Sequence, residues 1–168
     1  LHDGSTTLSA AAFHYDYSDF QVAQVIGIVG VIANAGDATI DGFELEVTSN
    51  VGDDWTLSAG LTLLDSAYGD FLNTDALQGD AGVLQNKGNP LNKAPEQSLN
   101  VGIVRNMTFD SGANLALSLN TAYRSRTYFR EFGQIDDSQA AYTVVNFNAN
   151  FETADELFTT RFFVNNAT

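Results

Sequence analysis

Between Trp55 and Leu64 the side chains alternate with a period of two. Trp55, Leu57, Ala59, Leu61 and Leu63 are large or apolar, and Thr56, Ser58, Gly60 and Thr62 between them are small or polar. A strand sends successive side chains to opposite faces, so such a segment has one greasy face and one wet face. The pattern returns at Leu115, Leu117 and Leu119 against Ala116, Ser118 and Asn120, and at Val145, Phe147, Ala149 and Phe151 against Asn146, Asn148 and Asn150. Leu99, Val101 and Ile103 alternate with Ser98, Asn100 and Gly102, and Phe43, Leu45 and Val47 with Glu44, Glu46 and Thr48. A chain written this way folds as antiparallel β-structure.

Two classes of antiparallel protein share this pattern, a soluble sandwich and a transmembrane barrel. The wet face separates them. It carries Asn, Ser, Thr, Gly and Glu but almost no Lys, unlike the surface of an ordinary soluble sheet. Charged residues are 17% of the chain, against roughly 25% in soluble domains. Glycine (14) is plentiful, proline (2) is scarce, and twelve Phe and six Tyr favour strands over helices. The longest apolar stretch, Val25 to Ala33, is interrupted by Gly27 and Gly30, well short of the roughly 20 residues a membrane helix needs. A membrane strand needs only about 9–11 residues, every second one apolar.

The connections add a rhythm. Short turns fall at Asn50-Val51-Gly52-Asp53, Phe109-Asp110-Ser111-Gly112 and around Thr153-Ala154-Asp155, with longer Gly- and polar-rich loops near 27–34, 68–94 and 130–139. Short turns on one side and long loops on the other are the arrangement of outer-membrane barrels, with the long loops outside the cell. The reading gives about seven strands, near 5–18, 20–27 with 36–49, 54–68, 96–107, 113–129, 140–151 and 157–166. Residues Gln21 to Ile32 could instead extend both flanking strands above the membrane. The expected fold is therefore all-β, an antiparallel up-and-down transmembrane β-barrel segment over residues 1–168. Seven strands of a large barrel do not close. The chain opens at Leu1-His2-Asp3-Gly4, which reads as a turn without an initiator methionine, and is expected to be a segment of something longer or a processed product.

Four stretches resemble the C-terminal barrel half of TonB-dependent outer-membrane receptors. The first is Ala12-Phe13-His14-Tyr15-Asp16-Tyr17-Ser18-Asp19-Phe20-Gln21-Val22. The second is Asn34-Ala35-Gly36-Asp37-Ala38 running into Gly42-Phe43-Glu44-Leu45-Glu46. The third is Leu63-Leu64-Asp65-Ser66-Ala67-Tyr68-Gly69-Asp70-Phe71, followed after a loop by Pro95. The fourth joins Tyr123-Arg124-Ser125-Arg126-Thr127-Tyr128 to Ala141-Tyr142-Thr143-Val144-Val145-Asn146 and ends at Val164-Asn165-Asn166-Ala167-Thr168, similar to the family's motif in its penultimate strand. Their order along almost the whole chain carries the likeness. The resemblance implies a parent barrel of about 22 strands with a plug in its lumen. It implies import of a ferric siderophore or a similar scarce ligand, driven by a TonB complex through an N-terminal region missing here. It also implies residence in the outer membrane of a Gram-negative bacterium, among its lipids. The plug and the closing strand are expected to be absent from this chain.

Arg124, Arg126 and Arg130 place three of the chain's seven basic residues within one short stretch of a chain with net charge −14. Strand parity puts them, with Tyr128, on the Asn120 face near the extracellular end. Guanidinium forks suit carboxylate or catecholate oxygens, so Arg124, Arg126, Tyr128 and Arg130 are the candidate ligand-binding residues. The alternative is pairing with lumen carboxylates such as Glu44 and Glu46, or with the plug. Glu44 and Glu46 read as wall carboxylates, since a catalytic pair works across a cleft. His2 reads as a turn residue and His14 as a wall residue, and they share no ligand spacing. Asp65, Asp70, Asp75 and Asp80 lack the EF-hand pattern and read as a solvated surface loop. Tyr15, Tyr17, Phe20, Trp55, Tyr68, Phe71, Tyr123 and Phe129 gather toward strand ends, as aromatic girdles do.

No cysteine, Ser-His-Asp arrangement or P-loop is present, so neither catalytic residues, a metal site nor a cofactor is expected. The deficit of Lys and Arg argues against nucleic acid. Ligand choice is expected in the extracellular loops, chiefly Gly69 to Lys93, whose Gly, Asn and Asp content suits a mobile gating loop. Two other readings remain at this point: a soluble, secreted β-sandwich that binds sugar or protein, and a passive porin-type channel segment.

Overall fold

A computed structural model describes residues 5–26, 29–34, 36–75, 77 and 82–167. The expected turn at 1–4 with His2, Gly27 of the first loop, Ala35, Asp80 and Thr168 lie outside the described residues.

Each alternating segment forms a long strand. β1 is Thr6–Tyr17, and two short strands follow it, β2 (Gln21–Ile26) and β3 (Val29–Asn34). β4 (Ala38–Val51) and β5 (Trp55–Tyr68) come next, then the short β6 (Leu72–Thr74) and β7 (Val83–Gln85). β8 (Gln97–Thr108) and β9 (Asn114–Arg124) precede the short β10 (Thr127–Tyr128) and β11 (Ser138–Gln139), and β12 (Tyr142–Glu152) and β13 (Thr159–Val164) end the chain. The seven long strands make one sheet in the order β1-β4-β5-β8-β9-β12-β13. All its pairs are antiparallel between neighbours in that order, so the wall is an open up-and-down meander.

The registers keep the two faces separate across the whole wall. Leu8 pairs with Val47, Val47 with Ala59, Ala59 with Val101, Val101 with Thr121, and Thr121 with Val145. One step away, Glu46 pairs with Gly60, Gly60 with Asn100, Asn100 with Ala122, and Ala122 with Val144. A slip by one residue would exchange the faces, so the alternation fixes the register. Nothing among the described residues covers the apolar face: Leu8, Phe43, Leu57, Leu63, Leu99, Val101, Leu119, Phe151 and Phe162 are all exposed. A sandwich would bury this face under a second sheet. Here each wall strand packs principally on its ladder neighbours.

At the turn end, three tight reversals join the strands. Gly52 (φ 62°) and Gly112 (φ 85°) take left-handed conformations that side chains rarely adopt. In the third turn Glu156 takes the left-handed position (φ 57°), and the Thr153 hydroxyl donates to the Asp155 carboxylate at 2.6 Å. At the other end the wall grows upward. β2 and β3 continue the β1–β4 ladder in the same register, past a break at Ser18–Phe20 where Asp19 has φ 54°. The stretch read as a loop near 27–34 is therefore largely strand, and the alternative reading, extension of both flanking strands, describes the ladder. β10 and β11 likewise continue the β9–β12 register.

Candidate functional site

The buried core among the described residues sits at the long-loop end of the wall, where the ends of β4 and β5 meet β2 and the second long connection. Val22, Ala38, Tyr68, Phe71 and Leu91 are buried together, with Phe20, Ile40 and Ala94 packed against them. A file of rings leads into it along the polar face: Phe13, Tyr15, Tyr17, Phe20, Tyr68 and Phe71 follow one another with centroids 5.2, 6.1, 6.1, 5.9 and 5.7 Å apart. The file begins over Gly42, the ladder partner of Phe13, where a Cβ would run into the Phe13 ring. These rings correct the girdle expectation. Tyr15, Tyr17 and Tyr68 share the face of Glu44 and Glu46, the polar one, whereas Trp55 and Tyr123 lie on the apolar face.

A polar cluster ties the second long connection to the third. Asp75 is fully buried (0% exposed) and accepts a hydrogen bond from Arg130 Nη1 at 2.5 Å. Arg130 Nε also donates to Asp137, and its guanidinium lies 5.2 Å from the Phe132 ring centroid. Asn73 donates to Glu131 at 2.5 Å, and Asn89 donates to the Glu131 carbonyl at 2.9 Å. The backbone N–H of Lys93 reaches the Tyr128 carbonyl at 2.7 Å. Burial alone would raise the Asp75 pKa, but the Arg130 hydrogen bond and the Leu77 N–H override it and hold the carboxyl below its ordinary range. Burial would lower the Arg130 pKa; Asp75 and Asp137 more than offset this and raise it. Asp75 is thus no solvated loop residue. Among the described parts of Gly69 to Lys93, the side chains of Asn73, Asp75, Asn86 and Leu91 are buried, while Leu72, Leu77 and Val83 are exposed.

The four candidate ligand residues separate into two roles. Arg124 ends β9 on the polar face, paired with Ser98 on one side and Tyr142 on the other. Arg126 donates to Ser138 at 2.6 Å. Arg126 and Tyr128 line a recess of about 150 Å³ together with Pro90, Ala94, Glu96 and Ser125. Neither Arg124 nor Arg126 forms an ion pair among the described residues, whereas Arg130 is occupied by two carboxylates. Carboxylate pairing, the alternative weighed for the arginines, is realised for Arg130, but with loop aspartates. Glu44 and Glu46 form no ion pair among the described residues; they lie lower on the polar face, Glu46 beside Ser58, Gly60, Asn100, Asn120 and Asn146 in a shallow trough. Nothing local in the sequence marks Asp75 as a structural carboxylate, because its partner lies 55 residues away. His14 is a wall residue, held between Asp41 (2.8 Å) and Asp16 (3.0 Å). No group of three or more His, Cys, Asp or Glu that could hold a metal occurs among the described residues.

The recess is smaller than the roughly 300–1,000 Å³ of a typical ligand pocket, so it can contact only part of a chelate-sized molecule. The polar face around it carries two guanidinium groups, Arg124 and Arg126, without a carboxylate partner among the described residues.

Residues 1–167 match the family described as TonB dependent receptor-like, beta-barrel. No curated protein matches the chain. Among solved structures, the chain is similar to the ferric yersiniabactin uptake receptor FyuA from Yersinia pestis, with TM-score 0.76 and 18% identity over 99% of this chain and 23% of that one. It is also similar to the siderophore receptor PiuA from Acinetobacter baumannii, with TM-score 0.74 and 20% identity over 99% of this chain and 22% of that one. The ferric preacinetobactin receptor BauA from Acinetobacter baumannii gives TM-score 0.70 and 17% identity over 99% and 23%. The chain thus spans less than a quarter of the length of these three receptors. With its match to the family over residues 1–167, the chain belongs to the TonB-dependent receptor β-barrel family, whose barrels reside in the outer membrane of Gram-negative bacteria.

Proposed function

We propose that this chain is a section of barrel wall and extracellular cap from an outer-membrane receptor that imports a ferric siderophore. The barrel domain would be completed by strands outside residues 1–168, and the receptor would draw energy from a TonB complex through a region that this chain does not supply. The reading assigns no catalytic step to any residue. The observation that carries it is an open wall whose apolar face is bare among the described residues, while its polar face ends, at the long-loop side, in two arginines that no described carboxylate pairs. An open sheet with two unpaired edges is not stable in lipid alone, because every backbone polar group must be paired there. Family membership and the bare apolar face favour this reading over the β-sandwich, and membership favours it over the passive porin.

Arg124, Arg126 and Tyr128 would meet the anionic oxygens of the chelate, and Arg130 would hold the cap that surrounds them. The test is binding of a panel of ferric siderophores to the complete receptor, followed by tryptophan quenching. Arg124→Gln and Arg126→Gln should each weaken the preferred chelate by about tenfold, the value of one charge-assisted hydrogen bond. Binding of no ferric chelate by the intact receptor would refute the proposal. Unchanged affinity in both variants would refute the residue assignment alone.

A further inference from the structure

Arg105 is the one arginine or lysine on the apolar face of the wall among the described residues. Its ladder partners are Trp55 and Leu117, and Ile103 and Met107 are its neighbours along β8 on the same face. The guanidinium lies 5.0 Å from the Trp55 ring centroid, and no carboxylate forms an ion pair with it among the described residues. Trp55 is the first residue of β5, directly after the turn at 52–54, so the pair marks the turn-end border of the wall. A guanidinium facing lipid costs most at the bilayer midplane and least at the interface, and there the available anions are lipid phosphates.

A second feature adjoins it. One ladder step further into the wall, Leu57 pairs with Ile103, and Ala59 then pairs with Val101. The small Ala59 leaves an almost wholly apolar groove of about 230 Å³ lined by Val47, Leu57, Ala59, Val101 and Ile103. A cation stacked on an aromatic ring at the membrane border, with an apolar groove running from it toward the membrane centre, matches one molecule: a phosphate-bearing head group with its acyl chain.

We infer that Arg105, Trp55 and the groove between β5 and β8 form a binding site for one phospholipid of the periplasmic leaflet. The phosphate sits on the guanidinium, the indole keeps the guanidinium in place by cation–π contact, and one acyl chain fills the groove over Ala59. In a chain of net charge −14, this single outward cation gives the wall a local preference for an anionic head group. The inference rests on the reading of the short turns as periplasmic and of the apolar face as lipid-facing.

The experiment uses the complete receptor in nanodiscs containing phosphatidylglycerol with a diazirine in one acyl chain, with crosslinks mapped by peptide. Labelling is expected in the peptides around Leu57–Ala59 and Val101–Ile103. It should fall about tenfold in Arg105→Gln, as expected for loss of a charge-assisted contact. Ala59→Trp, which fills the groove and leaves the guanidinium, should also lower it. A diacylglycerol probe without phosphate should label the wild type no better than phosphatidylglycerol labels Arg105→Gln, and inorganic phosphate should not compete. Equal labelling of wild type and Arg105→Gln, equal labelling by the two probes, or competition by free phosphate would each overturn the inference. Label around Leu117 and Leu119 should persist in every variant. Its absence in the wild type would overturn the lipid-facing assignment of the wall, and the lipid site with it.

Discussion

Replacing Arg130 by Gln leaves Asp75 buried with no cation beside it. Asp75 is wholly inaccessible, and Arg130 is 28% exposed. Breaking a buried ion pair by removing one partner costs roughly 3–5 kcal/mol. Because water reaches part of the guanidinium, the low end applies, about 3 kcal/mol. The seven-stranded ladder does not depend on this pair, so the loss falls on the cap. At 1.36 kcal/mol per tenfold, hydrogen-exchange protection should drop by roughly a hundredfold at amides that close the cap. Those are Asn86 N–H on the Phe71 carbonyl, Lys93 N–H on Tyr128, and Phe129 N–H on Asp137. Amides of the β5–β8 ladder should exchange as before.

The pH dependence gives the sharper check. In the wild type the Asp75 pKa is depressed, so its contribution is present above the ordinary carboxylate pKa and is lost only as pH falls through the lowered value. Cap protection should therefore be flat between about pH 5 and 8. In Arg130→Gln the Arg130 contributions that lower the Asp75 pKa are gone while burial still raises it against the Leu77 N–H and Gln134 hydrogen bonds, so acidification should cost the variant's cap less protection than it costs the wild type's. Equal protection in the two proteins, or a variant that loses more protection on acidification than the wild type, would refute the clasp.

Two substitutions probe the wall. Leu61→Lys puts an ammonium at mid-strand on the apolar face between Leu45 and Leu99 and should destabilise the receptor by about 2–4 kcal/mol. Thr62→Lys, one residue on, should be nearly neutral, with urea unfolding in lipid vesicles as the measure. Gly42→Val forces a side chain into the Phe13 ring and should cost about 1–3 kcal/mol in the same assay, while Gly60→Ala, which meets open space, should be neutral or stabilise by up to about 1 kcal/mol.

The wall was legible because a period of two writes both the strands and their faces into the sequence. Expected strands at 54–68 and 96–107 became Trp55–Tyr68 and Gln97–Thr108. The cap was not legible in the same way. Tyr15, Tyr17 and Tyr68 lie near strand ends, as a membrane girdle would, but their parity sets them opposite Leu8 and Leu63 and therefore on the polar face. Asp75 and Arg130 are a different matter. Their pairing depends on how two long connections meet, and no local periodicity encodes that. For Arg124, Arg126 and Tyr128 parity continued to hold, because β10–β11 keeps the register of β9–β12.

In the assembled barrel, one face of this sheet should meet lipid and the other water. The chain has no cysteine, so single cysteines along β5 can be read without background from its own residues. In the complete receptor in native outer membrane, cysteines at 57, 59, 61 and 63 should react with a membrane-confined maleimide and resist a charged water-soluble one. Those at 58, 60 and 62 should show the reverse. Uniform reactivity with the water-soluble reagent along the strand, or alternation of the opposite phase, would contradict the account.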